Sequence, residues 1–279
     1  MNSPERLLPL LSQAARPLTV TVEAINECGE TVETAIPGEH PLTIYIDKRE
    51  IVTLMTLGAA PEALVIGYLR NQRLMNSLDE IEAVQVDWEV DAVAVKTRPG
   101  RYQAEAAEAR LEKRTVTTGC GQGTVFGDLM AEIDEIHLPE TARLSAGAFL
   151  ALMEAVRHHE SVYKLAGAVH GCALIRNALP QPEILMFIED VGRHNAVDTI
   201  AGKMWLEGLA GEEMIFYTTG RLTSEMVIKT AQMGIPFLVS RSGMTQMGWQ
   251  VAQRVGMTMI GRARGSRYLL YTGAERFVR

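Results

Sequence analysis

Three predicted helices in the second half of the chain each end at a glycine and are each followed by a short apolar run. The glycines are Gly208, Gly234 and Gly256, and the runs are "EMIFYTT", "IPFLVS" and "MTMIG". A glycine just beyond a helix can take the left-handed conformation that closes it, so the repetition predicts three helix-to-strand units. With the earlier runs "YKLAGAVHGCALIR" and "EILMFIED", both interpreted as strands, we expect an α/β domain of about 140 residues with helices packed on a sheet.

The first half of the chain has a different pattern. Short β-rich runs, "LTVTVEAI", "ETVETAI" and "LTIYID", are separated by turn residues and predict hairpins. Helices are predicted at "APEALVIGYLRNQRLM", with Pro61 in the first turn, and at "LSAGAFLALMEAVRHHE", with Ser145 as the cap. The β-like passage "EAVQVDWEVDAVAVKT" lies between them. We therefore predict a smaller β-rich domain over 1–125 and the α/β domain over 126–279.

The composition excludes several classes of protein. A net charge of -7 and a pI near 5.5 argue against nonspecific binding to nucleic acid. No apolar run approaches the ~20 residues of a membrane span, and the N-terminus lacks the pattern of a secretory signal, so we expect a cytoplasmic protein with no membrane contact. The three cysteines, Cys28, Cys120 and Cys172, are too far apart for a Cys-x-x-Cys zinc site, and we expect no metal held by the chain itself.

The charge is unevenly distributed along the chain. Residues 241–279 hold seven arginines and one acid, which leaves a charge of -13 for the other 240 residues. In "MTMIGRARGSRYLLYTG" the arginines alternate with strand-like runs, and guanidinium groups suit bidentate contacts with phosphate or carboxylate. The segment indicates an anion site, with a solubilising tail as the alternative.

Cys120 lies between two glycines in "TVTTGCGQGTVFG". A thiol reacts as the thiolate, and glycines let backbone N–H groups turn toward the sulfur and let a bulky reactant approach. Cys120 is therefore a candidate reactive thiol, although a free cysteine is often just a small buried residue. That alternative is favoured for Cys172, in the apolar run "GCALI", and for Cys28, in a hairpin turn without neighbouring cations.

Two strand-to-helix corners carry polar side chains. In "FIEDVGRHNAVD", Asp190, Arg193 and His194 follow a predicted strand, and ligands of α/β sheets bind where such strands end. In "YTTGRLTSEM", Arg221 lies beside the start of a helix, where free N–H groups attract anions. The alternatives are structural: Asp190 could cap its helix, and the Thr-Ser pair of the second corner could form an ordinary capping box.

The remaining histidines have simpler interpretations. His170 interrupts an apolar strand, and a hydrogen-bonded core histidine is the favoured interpretation over a catalytic one. His158 and His159 fall at a helix end, where they favour the helix dipole, and no matching ligand residue lies four positions on.

Four segments resemble, in order and spacing, a known family: "TGCG", "EDVGRHNAVD", "GRLTSEMVIKTAQMGIP" and "VAQRVGMTMIGRARGSRYLLYTG". The family is the formate dehydrogenase accessory sulfurtransferase family, FdhD/NarQ. Two earlier runs, "HPLTIYID" and "MTLGAAPEALVIGYL", also resemble the N-terminal pattern of that family. The resemblance implies a sulfur carrier that accepts sulfur from a cysteine desulfurase as a persulfide. The sulfur would pass to the molybdenum or tungsten bis-pterin guanine dinucleotide cofactor, which then goes to formate dehydrogenase.

The resemblance also implies roles for individual residues. Cys120 would hold the persulfide. The cofactor-binding segment would be Arg262, Ala263, Arg264, Gly265, Ser266 and Arg267, and Asp190, Arg193, His194 and Arg221 would extend the site. For the α/β domain the family implies a cytidine-deaminase-like three-layer fold, and for the protein a homodimer. The deaminase zinc motif Pro-Cys-x-x-Cys is absent, so deaminase chemistry is not implied.

The chain departs from the family pattern at several positions. Gly123 stands where the family has a second loop cysteine, "SRSGMT" replaces a Ser-rich stretch, and Gln72 and Arg73 replace a Glu-Gly pair. A single thiol can form a persulfide, but no neighbouring cysteine can displace it, so release needs the cofactor itself or an outside reductant. A noncatalytic protein that only chaperones the cofactor is the main alternative. A nucleotide-binding hydrolase that uses Asp190 and His194 is the weaker one.

Overall fold

The computed structural model describes residues 7–112, 133–178 and 181–279 and has the mixed α/β fold that the sequence predicts. Its two larger sheets have five and six strands, and each belongs to one half of the chain. Cys120 and Gly123 lie outside the described residues, and so does the predicted domain boundary at 125. That boundary, and the role of the cysteine loop, stay predictions.

The N-terminal half forms a five-stranded sheet and a separate two-stranded ribbon. The strands are β1 (Leu10–Leu11), β2 (Thr19–Ile25), β3 (Thr31–Pro37), β4 (His40–Ile46), β5 (Arg49–Thr56), β6 (Ile81–Asp87) and β7 (Ala92–Thr97). The sheet has the order β1-β6-β7-β4-β5, and β2 pairs only with β3. The pairs β2–β3 and β4–β5 are antiparallel, which confirms the predicted hairpins. The β-like passage after them forms a third antiparallel pair, β6–β7. Helices α1 (Pro61–Asn71) and α2 (Ala104–Glu112) complete this half.

The C-terminal half forms the six-stranded sheet, in the order β10-β9-β11-β12-β13-β14. These strands are β9 (His170–Arg176), β10 (Glu183–Asp190), β11 (Met214–Thr218), β12 (Phe237–Ser240), β13 (Thr258–Arg264) and β14 (Arg267–Thr272), and a small parallel pair joins β8 (Leu144–Ser145) to β15 (Phe277–Val278). Strands β11, β12 and β13 are parallel, whereas β9 is antiparallel to both of its neighbours. The carboxyl ends of β10 to β13 therefore meet the start of β9 at one edge, called here the carboxyl edge.

Helices cover both faces of this sheet. They are α3 (Ala146–His158), α4 (Val162–Ala166), α5 (Arg193–Glu207), α6 (Ser224–Gln232) and α7 (Gln246–Arg254). Successive strand residues point to opposite faces: Cys172, Leu174 and Phe216 pack with α5, α6 and α7, whereas Ala173, Ile175 and Ile215 pack with α3. The domain thus has three layers. Its likeness to the cytidine deaminase fold is implied by the family resemblance alone. None of the helices in the described ranges is long and apolar enough to cross a membrane.

The predicted helix ends are confirmed. Gly208, Gly234 and Gly256 have φ values of 70°, 76° and 66°, so each closes its helix in the left-handed region. At the start of α3, the backbone N–H of Ala148 donates to Ser145 Oγ at 3.1 Å, as predicted for the cap.

One predicted strand starts too early. We predicted that "YKLAGAVHGCALIR" is extended throughout, but residues 162–166 form α4, and β9 begins only at His170. The N–H of Lys164 donates to Ser161 Oγ at 3.2 Å. The N–H groups of Val162 and Tyr163 donate to the carboxylate of Glu189 at 2.5 and 3.1 Å. These capping contacts, one of them to a distant strand, fix a helical turn that the local pattern does not reveal.

Helices α1 and α5 join the two halves of the protein. A Cβ atom added at Gly67 would lie 1.7 Å from the carbonyl oxygen of Asp198, and one added at Gly202 would lie 1.9 Å from that of Ala63. The helices therefore cross with their backbones in direct contact, which only glycine allows at these two positions. This contact buries nearly all of α1 and fixes the N-terminal sheet against the α5 layer.

Candidate anion-binding site

Three arginines gather at the carboxyl edge. Arg193 opens α5 after β10, Arg221 follows β11, and Arg241 follows β12. His170 begins β9 at the same edge, opposite Asp190 in the strand register. Burial lowers the pKa of His170, and the nearby charges of Arg193, Arg241 and Arg221 lower it further. The edge is therefore a concentrated positive region in a protein whose net charge is negative.

A cavity of about 590 Å³ opens at this edge, between α3, α4 and the strand ends. Its volume lies within the range of small-molecule sites. Aromatic rings supply much of the wall, and carboxylate, hydroxyl and guanidinium groups supply the rest; the main lining residues are His159, Tyr163, Phe187, Tyr217, Glu189, Thr219, Arg241 and Arg264. Flat aromatic walls with a few polar groups suit a planar heteroaromatic ring that carries an anionic group.

The aromatic groups of the cavity are held by specific contacts. The rings of His159 and Phe187 lie with their centroids 4.2 Å apart. The guanidinium of Arg241 lies 5.0 Å from the centroid of the Tyr163 ring, within cation–π range. Glu189 faces the cavity from β10 and holds the first turn of α4 in place through its two backbone contacts.

The predicted cofactor segment, residues 262–267, covers the end of β13, the two-residue turn at 265–266 and the first residue of β14. Ala263, Arg264 and Gly265 line the cavity, whereas Arg262, Ser266 and Arg267 are exposed beside it. Arg262 has a φ of 51°, and its N–H donates to the carbonyl of Ser242 at 2.8 Å. The strand register shifts at this point. The segment is therefore next to the cavity, with half of its residues in the wall.

Arg193 is a buried cation without a close counter-ion in the part of the chain that the structure describes. The residue is 4% exposed, and its Nε has no hydrogen-bond partner there. None of the ion pairs within the described residues includes it. Its aliphatic chain lies against Gly220, where an added Cβ would come within 2.5 Å of Arg193 Cδ. Because an unpaired buried charge is costly, an anionic ligand would stabilise this arrangement.

Arg193 and the cavity lie on opposite faces of the sheet but share the carboxyl edge. Strand alternation places Glu189 on the α3 face and the neighbouring Asp190 on the α5 face. His170 shares the α5 face, and its Nδ1 lies 3.5 Å from the hydroxyl of Thr219, which lines the cavity. An elongated anion could therefore extend from the cavity over the edge toward Arg221 and Arg193.

The start of α6 offers a second group of donors. Thr223 is the N-cap residue, but its side chain makes no capping hydrogen bond, and its buried Oγ1 has no partner among the described residues. The capping box suggested as an alternative is therefore not formed. The first-turn N–H groups of α6, next to the exposed Arg221, can attract an anion.

Asp190 is occupied by contacts within the protein. Its Oδ2 accepts from the hydroxyl of Thr56 at 2.5 Å and from the N–H of Leu57 at 3.3 Å. Its Oδ1 accepts from the side chain of Asn195 at 2.8 Å and from the N–H of Gly192 at 3.3 Å. Asp190 thus ties β5 to the start of α5, and this geometry favours a structural role over direct contact with a cofactor.

His194 is 2% exposed and belongs to a buried polar cluster on α5 and α6. Its Nε2 lies 3.3 Å from Glu225 Oε2, although the two groups are not aligned for a hydrogen bond. Burial, with the positive charges of Lys229 and Arg193, lowers the pKa of His194 to about 2. A neutral, enclosed imidazole and an occupied Asp190 argue against the hydrolase alternative. The sequence interpretation noted Glu225 at the start of this helix but gave no role to Glu225 or Lys229.

Two of the seven terminal arginines do not belong to the site. Arg254 forms a bidentate pair with Asp134, with N–O distances of 2.7 and 2.6 Å. Arg276 is buried and donates to the carbonyl oxygens of Pro139 and Gly256. The +6 charge of residues 241–279 therefore overstates the charge that an anion would meet.

Of the described cysteines, Cys172 has the buried surroundings that the sequence favoured, whereas the prediction of a buried Cys28 is wrong, because a hairpin turn leaves that side chain in solvent. Cys172 is fully buried, and burial raises the pKa of its thiol to about 12, so it stays a thiol at neutral pH. Cys28 is exposed in the turn between β2 and β3. In the part of the chain that the structure describes, no three His, Cys, Asp or Glu side chains cluster as metal ligands do.

The fold and this edge define an α/β protein with a cationic, ring-lined cleft at the carboxyl ends of its parallel strands. The profile of the FdhD/NarQ family matches residues 37–278, so the chain belongs to the FdhD/NarQ family.

Relatives and a solved structure extend the comparison. The chain is 30% identical over 255 residues to the sulfur carrier protein FdhD of Listeria monocytogenes, with 88% of this chain and 93% of the relative covered. It is 29% identical over 250 residues to the protein of the same name from Bacillus subtilis, with 88% and 91% covered. A crystal structure from Desulfotalea psychrophila, described as a formate dehydrogenase accessory protein, has a TM-score of 0.73 and 26% identity, covering 94% of this chain and 100% of that one.

Proposed function

We propose that this protein is a sulfur carrier that serves formate dehydrogenase. In this proposal Cys120 takes sulfur from a cysteine desulfurase as a persulfide and delivers it to the molybdenum bis-pterin guanine dinucleotide cofactor, which binds as substrate. Family membership and the names of the relatives support the sulfur carrier role. The observation that carries the cofactor part is the buried Arg193, unpaired within the described ranges, at an edge that also holds Arg221 and Arg241.

The residues at the edge suit the nucleotide end of such a cofactor. Guanine is a flat ring with adjacent N–H donors, and the carboxylate of Glu189 has lone pairs beyond the two that accept from α4. Arg241 and Arg264 lie in the same cavity, where they could pair with phosphate oxygens. Arg221, Arg193 and the start of α6 extend the positive region beyond the cavity for the rest of the anion.

The cofactor carries two nucleotide arms, whereas one chain offers one ring-lined cavity of about 590 Å³ at its described carboxyl edge. A homodimer would present two such cavities to the two arms. This match supports the homodimer that the family resemblance implies.

The sulfur chemistry rests on a single loop thiol. A persulfide carries its outer sulfur at the sulfane level, so delivery as sulfide requires two electrons. They would come from the reduced metal of the cofactor or from an external thiol, because Gly123 replaces a neighbouring cysteine. Cys172 is not a candidate relay, since its buried thiol has a pKa of about 12.

An intact-mass measurement tests sulfur loading. The protein is incubated with a cysteine desulfurase and cysteine, and we expect a mass gain of one sulfur atom. The gain should vanish in Cys120→Ala and persist in the control Cys28→Ala, whose exposed thiol lies in the β2–β3 turn. The absence of a gain in the native protein, or its persistence in Cys120→Ala, would overturn the loading step.

The glycine at position 123 supports a second candidate function. Without a partner thiol, the protein could chaperone the cofactor and transfer no sulfur. Guanosine diphosphate (GDP) binding without any persulfide on Cys120 would favour this chaperone role. Binding together with loading would favour the sulfur carrier.

A further inference from the structure

The two-stranded ribbon formed by β2 and β3 has an exposed apolar face. Strand alternation places two cross-strand pairs on this face, Val20 with Ile36 and Ala24 with Val32. Val20, Val32 and Ile36 are 47%, 38% and 41% exposed. None of the side chains of residues 19–37 is buried. A two-stranded sheet that buries neither face is at best marginally stable in water, so a protein that covers the apolar face would stabilise the ribbon.

The ribbon also carries charge of one sign. Residues 17–39 hold five glutamates and no aspartate, lysine, arginine or histidine. Glu23 and Glu33 are exposed and lie directly opposite each other on the second face of the ribbon. Neither forms an ion pair within the described ranges. Like charges at opposed positions destabilise a strand pair, so a cationic partner would relieve this repulsion.

The ribbon lies beside the cavity at the carboxyl edge. Strand β3 contacts α4, and Tyr163 and Lys164 of α4 line the cavity. Tyr163 and Leu165 are exposed, so α4 adds apolar surface between the ribbon and the cavity. A protein bound to the ribbon and α4 would therefore lie next to the mouth of the cavity.

The cargo of the proposed function indicates which partner fits this surface. A bis-pterin guanine dinucleotide carries two pyrophosphates, so a protein that receives it needs cationic groups around its cofactor entrance. Such an entrance is complementary to the five glutamates of the ribbon. The sulfur donor acts on Cys120, whereas the recipient takes the cofactor from the cavity. The position of the ribbon beside the cavity thus favours the recipient.

On the basis of the proposed function, we propose that the β2–β3 ribbon and α4 bind the cationic cofactor entrance of formate dehydrogenase during cofactor delivery. The glutamates increase the rate of encounter, because attraction between opposite charges steers association. The apolar face then slows dissociation, because its side chains leave water in the complex. The cofactor moves between the two proteins as a noncovalent ligand, so this step forms and breaks no covalent bond.

Binding kinetics with formate dehydrogenase purified without its cofactor test the role of the charges. At low salt, Glu23→Gln/Glu33→Gln should associate about fivefold more slowly than the native protein, and at about 1 M salt the rates should be equal. The double variant removes a repulsion, so the ribbon stays folded. Glu212→Gln/Glu213→Gln is the matched control, because it removes two exposed charges just before β11, and it should associate at the native rate.

Variants of the apolar face test the contact itself. Val20→Thr/Ile36→Thr keeps β-branched side chains, which suit strands, and its complex with the dehydrogenase should dissociate about fivefold faster. Ile25→Thr is the matched control, because Ile25 is exposed on the opposite face of the ribbon, and its complex should dissociate at the native rate.

Equal association at low salt for the native protein and Glu23→Gln/Glu33→Gln would overturn the docking surface. Equal dissociation for Val20→Thr/Ile36→Thr and Ile25→Thr would do the same. Slower sulfur loading of the charge variant by the desulfurase, with native binding to the dehydrogenase, would assign the ribbon to the donor instead. If the native protein loads sulfur and binds GDP but does not bind the dehydrogenase, the docking surface alone fails. If it neither loads sulfur nor binds GDP, the proposed function fails as well.

Discussion

Arg193 is a buried charge whose placement lowers stability unless an anion binds it, as the proposed function requires. Its guanidinium is buried without a counter-ion among the described residues, and Gly220 leaves the space in which its aliphatic chain lies. Asp190, three residues earlier, is fully used to hold the two halves together. The sequence correctly indicated that this corner gathers polar groups. It could not distinguish the two roles, because their difference lies in contacts with Thr56 and Gly220, which are distant along the chain.

We predict that Gly220→Ala weakens nucleotide binding. The added methyl group would displace Arg193, and a hydrogen bond to a charged group contributes about 1.5–3 kcal/mol, so GDP affinity should fall about tenfold or more. Gly243→Ala is the matched control, because an added Cβ there meets nothing within 4 Å. Equal GDP affinity in the two variants, measured by calorimetry, would remove Arg193 from the site.

The helices and strands divide into those that the sequence predicts and those that tertiary contacts decide. The glycine-closed helices follow from local rules, and their ends agree with the structure. The alternating strands follow from local rules too, except that β9 begins later than predicted. Helix α4, which precedes β9, is not predicted by a local rule, because the carboxylate of Glu189, on β10, holds its first turn. The aromatic wall of the cavity was also beyond prediction, because His159, Tyr163, Phe187 and Tyr217 belong to separate segments that meet only in the folded protein.

The crossing of α1 and α5 leads to a prediction about stability. Gly202→Ala places a methyl group 1.9 Å from the backbone oxygen of Ala63, so the helices must separate, and the free energy of unfolding should fall by about 3 kcal/mol. Gly147→Ala, in the exposed first turn of α3, meets no atom within 4 Å and should be neutral or stabilise by up to about 1 kcal/mol. Urea unfolding measures both. A loss for Gly202→Ala no larger than that for Gly147→Ala would contradict the close crossing.

The whole molecule combines a negative net charge with a positive carboxyl edge. The net charge is -7, yet Arg193, Arg221, Arg241 and Arg264 lie along the carboxyl edge, on its two faces. Such an arrangement concentrates an anionic ligand at the edge while the rest of the surface discourages nonspecific binding. The sequence located this charge in residues 241–279, but Arg254 and Arg276 serve the fold instead. Their role depends on distant partners that no local pattern reveals.

In the proposed function, Cys120 passes sulfur to formate dehydrogenase through the bound cofactor. The most direct measurement loads the protein with radiolabelled sulfur, removes the desulfurase and free cysteine, and adds formate dehydrogenase whose cofactor lacks its terminal sulfur. We predict that label leaves Cys120 and appears in the dehydrogenase cofactor in proportion to the formate oxidation that is recovered, with neither change in Cys120→Ala. Label that stays on the protein, or activity that returns equally with Cys120→Ala, would contradict sulfur transfer from Cys120 to the cofactor.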